Sequence, residues 1–287
     1  MSTKVDRPSV TYHHARVTVV QRITPHMTRV TFSASSFGEV PAGPPDQYVK
    51  VFFPLEGQEE PQLPPPVAGD EVLSWYRTYL AMPDDTRPPM RTYTVRAHRP
   101  EQCEIDVDFV LHGDDGPASA WAGRATPGDR VAFVGPHGLY KVPDDTDWQL
   151  LVGDETALPA IGAILEGLSP STRASVYVEI GDAGERQTFD TRGSVELHWI
   201  LRGARPHGDA LLDAVRTADL PGGAPYAWVS GEAGVVKLVR RHLVQERGVD
   251  KRAICFTGYW RHGVSEEAAS RESIRKIESG ETPADDD

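Results

Sequence analysis

Residues 91–96, Arg-Thr-Tyr-Thr-Val-Arg, bring an aromatic ring, two hydroxyls and two guanidinium groups into one short run. On a strand, Arg91, Tyr93 and Val95 share one face while Thr92, Thr94 and Arg96 share the other. A planar ring system can rest on Tyr93 while hydroxyls and amides meet its polar edge, and an arginine can neutralise a pyrophosphate. The same alternation also suits an ordinary amphipathic strand with exposed arginines. Further along, Gly116-Pro117-Ala118-Ser119 opens a helix whose first amides and positive dipole end form a cradle for phosphate. Proline is equally normal in a first turn, and Ser119 is also a capping residue type. His112, in the run Phe109-Val110-Leu111-His112-Gly113, is spaced to hydrogen-bond the same ligand. Ring and phosphate recognition in neighbouring elements reads as a flavin site.

A second group lies in the other half of the chain. Gly153-Asp154-Glu155-Thr156-Ala157 falls between an apolar strand and a helical pattern, where glycine lets a dinucleotide pyrophosphate approach and Thr156 offers a hydroxyl. The G-x-G-x-x-G fingerprint is missing, so the motif alone is generic. Ser230-Gly231-Glu232 ends another strand and would project into the same crevice, where ligands of open α/β sheets bind.

The elements that must hold these groups change character midway. Residues 16–23, 28–33, 48–53, 91–97, 104–111 and 130–134 are β-branched or alternating runs with Gly/Pro punctuation, the pattern of a small antiparallel barrel. Residues 54–89 hold eight prolines in two clusters and read as a long surface excursion too broken for a core element. One helix is expected in this half, from Gly116 through Ala120, Trp121 and Ala122. After a Pro/Asp linker at 142–147, strands at 149–152, 175–180, 195–201, 226–229 and 253–257 alternate with helical stretches beginning near 158, 209 and 234. That alternation specifies a parallel sheet with helices on both faces.

Composition narrows the chemistry. At 287 residues, two domains sharing an interface are expected. No run approaches the roughly 18 apolar residues of a membrane span, and residues 1–10 lack the apolar core of a secretory signal, so a cytoplasmic location is expected. The two cysteines, Cys103 and Cys255, are too few for an iron-sulfur cluster or a Cys-rich zinc site, which leaves an organic cofactor for any redox role. A net charge of −12 argues against a nucleic-acid partner, part of the acidity belonging to a carboxylate-rich tail at 278–287. The basic residues are 24 Arg to 6 Lys, the type suited to bidentate phosphate or carboxylate contacts.

Taken in order, the 91–96 strand, the 109–121 segment, 153–160, 230–232 and Gly258-Tyr259-Trp260-Arg261-His262-Gly263 resemble the siderophore-interacting protein family, FAD-dependent ferric-siderophore reductases of the ferredoxin-NADP reductase superfamily. The resemblance runs from about residue 17 to 264. It implies a Greek-key antiparallel β-barrel that binds FAD over residues 1–142, followed by an α/β parallel-sheet domain that binds NADH or NADPH over 143–287. Carried over by position, Arg91, Thr92, Tyr93, Thr94, Arg96, Asp108, Phe109, Val110, His112, Gly116, Pro117, Ala118 and Ser119 would line FAD. Gly153, Asp154, Thr156, Ala157, Ser230, Gly231 and Glu232 would face the nicotinamide. An anionic ferric siderophore would meet Lys50, His137 and Arg261, His137 standing where relatives often carry arginine. No resident metal and no side-chain nucleophile are implied: electrons pass from nicotinamide through flavin to Fe(III), which leaves the chelator more easily as Fe(II), in a monomer.

Several choices stay open at this level. Glu179 suits a ribose diol and hence NADH, Arg186 a 2′-phosphate and hence NADPH. Tyr259 and Trp260 suit either a flavin cover or domain-interface packing. The acceptor can instead be a ferredoxin or oxygenase component, and a non-catalytic siderophore-binding protein is a further alternative.

Overall fold

The computed structural model describes residues 10–65, 72–113 and 116–279. The first nine residues and most of the acidic tail, from 280 on, lie outside them.

Strands β1 (Tyr12–Thr24), β2 (Met27–Ser33), β3 (Tyr48–Phe52), β4 (Met90–Thr94), β5 (Ala97–Arg99), β6 (Glu104–Val110) and β7 (Arg130–His137) form one antiparallel sheet in the order β4-β3-β7-β1-β2-β6-β5. Its two edges, β4 and β5, are consecutive pieces of one segment. The break falls at Val95–Arg96, where the Val95 amide donates to Gln47 O (2.7 Å) and the Arg96 amide to Asp106 O (2.8 Å). The segment thus passes from β3 to β6 and brings the sheet round on itself as a barrel. Alternating inward positions supply its core, in which Phe32 lies edge-on to Phe133 with centroids 5.0 Å apart. Helix α2 (Pro117–Arg124) sends Trp121 into the same cluster, 5.1 Å from the Phe53 ring.

The proline-rich excursion holds more than a surface loop. Between its two proline clusters, helix α1 (Val72–Ala81) buries Trp75 and Tyr79 against Phe52, while the Trp75 indole donates to the Tyr12 hydroxyl at 2.5 Å. Prolines at both ends obscured a stretch that has none, and Trp75 and Tyr79 are spaced i, i+4 so that both rings face the barrel.

The second half holds β8 (Trp148–Gly153), β9 (Arg173–Ile180), β10 (Ser194–Leu201), β11 (Pro225–Glu232) and β12 (Ile254–Trp260), all parallel, in the order β10-β9-β8-β11-β12. Every residue of β8 is buried, as expected of a central strand covered on both faces. Helix α3 (Leu158–Gly167) covers one face, and α4 (Asp209–Thr217) with α5 (Ala233–Gln245) covers the other. A last helix, α6 (Glu266–Glu278), packs back on α1 through the Ser270 and Tyr76 hydroxyls (3.3 Å) and the Arg77–Glu278 ion pair (2.9 Å). No helix among the described residues is long and apolar enough to cross a membrane.

The halves share packing rather than meeting at a flexible joint. Met27, in the barrel, is fully buried in the core beneath α3, and the Trp228 indole donates to Asp46 of the barrel at 3.2 Å.

Candidate functional site

On β4, Thr92 is exposed, Arg91 and Tyr93 are half-buried, and Thr94 is buried. Tyr93 lies against Phe109 of β6, centroids 4.4 Å apart, and burial pushes its hydroxyl pKa up. Val110, the last residue of β6, packs on the core of the parallel domain. Beyond β6, the His112 amide donates to Ser119 Oγ (3.0 Å), and that hydroxyl donates to Gly113 O (2.8 Å), which folds the chain tightly into α2. Ser119 therefore shapes the turn. A Cβ on Gly116 would stand 2.9 Å from the His112 ring, so only glycine leaves that approach open. The α2 N-terminus, with Pro117 in its first turn and the buried Ala118 behind it, has no side-chain cap. By contrast, Glu232 closes α5 by accepting from the Val235 amide, and Glu179 accepts from the Gly208 and Leu211 amides at the start of α4. Helices α2 and α3 thus begin with first-turn amides that no side chain caps, the type of terminus that suits a phosphate.

Arg96 and Asp108 are engaged with protein groups. The Arg96 guanidinium forms a two-pronged pair with Glu166 of α3 (2.8 and 2.6 Å), and Asp108 a second with Arg29 (2.6 and 2.8 Å). Arg96 thus ties the barrel to the parallel domain just past the end of β4.

At the carboxyl ends of β8 and β11 lies a cavity whose lining includes Gly153, Asp154, Glu179, His207, Ser230 and Gly231. Asp154 organises it. One carboxylate oxygen accepts from the Thr156 amide (2.9 Å) and hydroxyl (2.5 Å), the other from the Glu232 amide and the Trp260 indole (both 2.9 Å). One side chain therefore locks the ends of three strands together, with the buried Ala157 just behind. Gly231 has φ of +141°, and a Cβ there would lie 2.6 Å from Asp154. Glu179, buried by its own contacts at the head of α4, holds the cavity wall, while Arg186 is exposed beyond β9. Sequence reasoning passed over His207, whose ring meets Trp260 edge-on at 5.1 Å and whose Nδ1 lies 2.8 Å from Arg202. Its setting in a Gly/Pro/Arg loop carries no periodic signal.

Tyr259 of β12 packs edge-on against Trp228 and joins the core that also holds Met27 and Val110 of the barrel, and burial raises its pKa. Trp260, one position on, points instead to Asp154. The aromatic pair is divided between interface and crevice.

Along the other edge of β4, Lys50 Nζ donates to the Thr92 hydroxyl (3.0 Å) and pairs with Glu266 (3.1 Å). Glu266 also accepts from the Thr92 amide (3.1 Å) and hydroxyl (2.8 Å), Glu267 pairs with Arg91, and Glu272 reaches Arg261 at 3.4 Å. Burial is the largest single influence and opposes the Lys50 charge, but Glu266 and the Tyr76 hydroxyl together outweigh it and its pKa is raised. His137 stands apart, exposed at the end of β7, its ring 5.9 Å from that of Tyr48. Helix α6 escaped sequence reasoning because it lacks an apolar stripe. Its available signals were Ser265 capping the Ala268 amide (3.2 Å), acids in the first turn and bases in the last.

Comparison with known proteins follows the same division. Residues 16–140 match the siderophore-interacting FAD-binding domain, and residues 146–263 match the siderophore-interacting protein family. The ferric vibriobactin reductase ViuB of Vibrio cholerae is 30% identical over 252 residues, 87% of this chain and 89% of the relative. The NADPH-dependent ferric-chelate reductase of Escherichia coli is 28% identical over 258 residues, 88% of this chain and 94% of that one. The crystal structure of a siderophore utilization protein from T. fusca superposes with a TM-score of 0.73 at 31% identity, covering 91% of this chain and 96% of that one.

Proposed function

Because the chain belongs to the siderophore-interacting protein family, we propose that it is a cytoplasmic flavoprotein reductase that carries electrons from NADH or NADPH to a ferric siderophore and releases iron as Fe(II). The observation that carries this reading is Tyr259, which packs edge-on against Trp228 of β11 in the core that also holds Met27 and Val110 of the barrel. Two sites held by one shared core suit a relay.

The residues present fit FAD. Gly116 and the uncapped α2 terminus would take the pyrophosphate, helped by Arg91, and Tyr93 and Thr94 would take the ring. Bound FAD supplies the exchange between the two-electron chemistry of nicotinamide and the one-electron chemistry of Fe(III). Around it, this chain binds and orients. Gly153 and Gly231 let the dinucleotide backbone come close, and Asp154 holds their loops in register. Lys50 and Arg261 border the acceptor side. The name of the Escherichia coli relative, an NADPH-dependent ferric-chelate reductase, supports NADPH as donor. Arg202 lies beside His207 and Glu179 of the crevice wall, and Glu179 is occupied with α4.

Two variants test the assignment. Arg91→Ala lowers retention of FAD through gel filtration by about tenfold, the order of one charge-assisted contact. Lys50→Ala keeps its flavin and lowers kcat/KM for ferric siderophore by a similar factor. Anaerobic titration with NADH and NADPH, followed by a ferric siderophore or a reduced-ferredoxin assay, measures both steps. Full flavin content and full ferric reductase rates in both variants would remove these residues from the site.

A further inference from the structure

We infer that the first turn of helix α6 is a built-in competitor of FAD: Glu266 and Glu267 occupy donors of β4 that the cofactor would use, and FAD binds by displacing them. This rests on the flavoprotein reading of β4 and deepens it.

Strand β4 ends the strand order of the barrel sheet, and its Thr92 amide donates to Glu266 (3.1 Å) rather than to a neighbouring strand. The same carboxylate accepts from the Thr92 hydroxyl (2.8 Å) and from Lys50 Nζ (3.1 Å). An amide, a hydroxyl and an ammonium around one anionic group are the donors that a phosphate also draws. Glu267, the next residue, pairs with the Arg91 guanidinium, the group that would otherwise meet the pyrophosphate. The side chains of Lys50, Arg91, Glu266 and Glu267 are between 20% and 25% exposed, so solvent screens these pairs only partly.

The rest of α6 is held without β4. The Ser270 hydroxyl meets that of Tyr76 (3.3 Å), the Arg271 guanidinium donates to Leu80 O (3.5 Å), and Glu278 pairs with Arg77 (2.9 Å), all on or at the end of α1. Glu272 pairs with Lys276 (2.8 Å) and reaches Arg261 (3.4 Å), so it takes no part in the contact with β4. The first turn can therefore lift while the helix keeps its seat, and that seat returns both carboxylates to β4 at high effective concentration. A pyrophosphate brought to Arg91 meets Glu267 on the guanidinium and Glu266 one residue away. It must break those pairs before making its own, so the apparent affinity for FAD falls by the fraction of molecules in which the turn is docked. The coupling is reciprocal: bound FAD loosens the first turn of α6.

The test measures FAD affinity of the flavin-free full chain by quenching of flavin fluorescence, and amide hydrogen exchange over residues 268–272 with and without FAD. Glu266→Gln and Glu267→Gln are each expected to tighten FAD binding about tenfold, the order of one charge-assisted pair. Glu272→Gln removes the same charge from the same helix and leaves the affinity unchanged. In an Arg91→Ala background, Glu267→Gln no longer tightens binding. In wild type, FAD speeds exchange over 268–272, the reverse of the protection a ligand gives to a segment it covers. Glutamate variants that bind FAD no more tightly than Glu272→Gln, or exchange in this turn that FAD slows or leaves unchanged, overturn the inference. The flavin reading then stands so long as Arg91→Ala alone weakens FAD binding. If Arg91→Ala binds FAD as wild type does, the assignment of Arg91 to the cofactor fails, and the competition fails with it. Should a glutamate variant not fold, exchange in wild type decides alone.

Discussion

Gly231→Ala is expected to slow reduction of the flavin by NADH or NADPH about 100-fold while FAD stays bound. The backbone at Gly231 has φ of +141°, where a side chain is strained by about 1–3 kcal/mol. The added methyl would also lie 2.6 Å from Asp154, whose carboxylate holds Thr156, Glu232 and Trp260. Either the loop or Asp154 must move, and losing one or two of those hydrogen bonds costs roughly 1–3 kcal/mol more. Together this displaces the donor's binding loops by about the 2.7 kcal/mol that corresponds to two decades in rate. The flavin strand is untouched, so dithionite-reduced Gly231→Ala protein should pass electrons to ferric complex as wild type does. Anaerobic stopped-flow bleaching of the flavin measures the first step. Wild-type bleaching rates in the variant would take this crevice out of the donor path.

Glu185→Ala is expected to lower stability by about 3 kcal/mol, a fall in Tm of roughly 6–12 °C for a chain of this size. Glu185 sits in the turn after β9 with its side chain 3% exposed, and it accepts from the Thr24 hydroxyl, the His26 amide (2.8 Å) and His26 Nδ1 (3.0 Å). All three donors belong to the β1–β2 turn of the barrel. Truncation strands the buried Thr24 hydroxyl and opens a gap at the junction beside Met27, where Gln187 also reaches the Met27 sulfur. Because this clamp aligns the domains, nicotinamide-driven flavin reduction should weaken along with stability. Calorimetry on the FAD-loaded protein measures it, and a Tm within about 2 °C of wild type would mean the interface holds without Glu185.

Both predictions rest on contacts that local patterns do not carry. The alternating sequence of β6, Glu-Ile-Asp-Val-Asp-Phe-Val, and the short, mostly apolar β8 were legible because residues on a strand share a face at every second position and a central strand is covered on both faces. The turns at Gly116, Gly153 and Gly231 were legible because glycine at an element's end leaves room that a Cβ would fill, 2.9 Å from His112, 2.4 Å from Ala157 and 2.6 Å from Asp154. Helix α1 stayed hidden between proline clusters, and α6 because an exposed helix tethered by ion pairs needs no apolar stripe.

The amino-acid order was thus sufficient for the two-part plan, barrel then parallel sheet, since strand and helix patterns follow from interactions a few residues apart. The pairing of charges was not. Arg96 with Glu166, Arg29 with Asp108, Glu179 with the head of α4, and Glu266 and Glu267 with Lys50 and Arg91 join residues 29 to 216 positions apart. A charged side chain carries no mark of its partner, because Coulomb attraction depends on distance in space and on burial, and both arise only when the chain has closed on itself. The strand at 91–96 was readable as a strand from its residues. Which of its groups are engaged by protein was settled by helix α6, whose Glu267 stands 176 positions beyond Arg91.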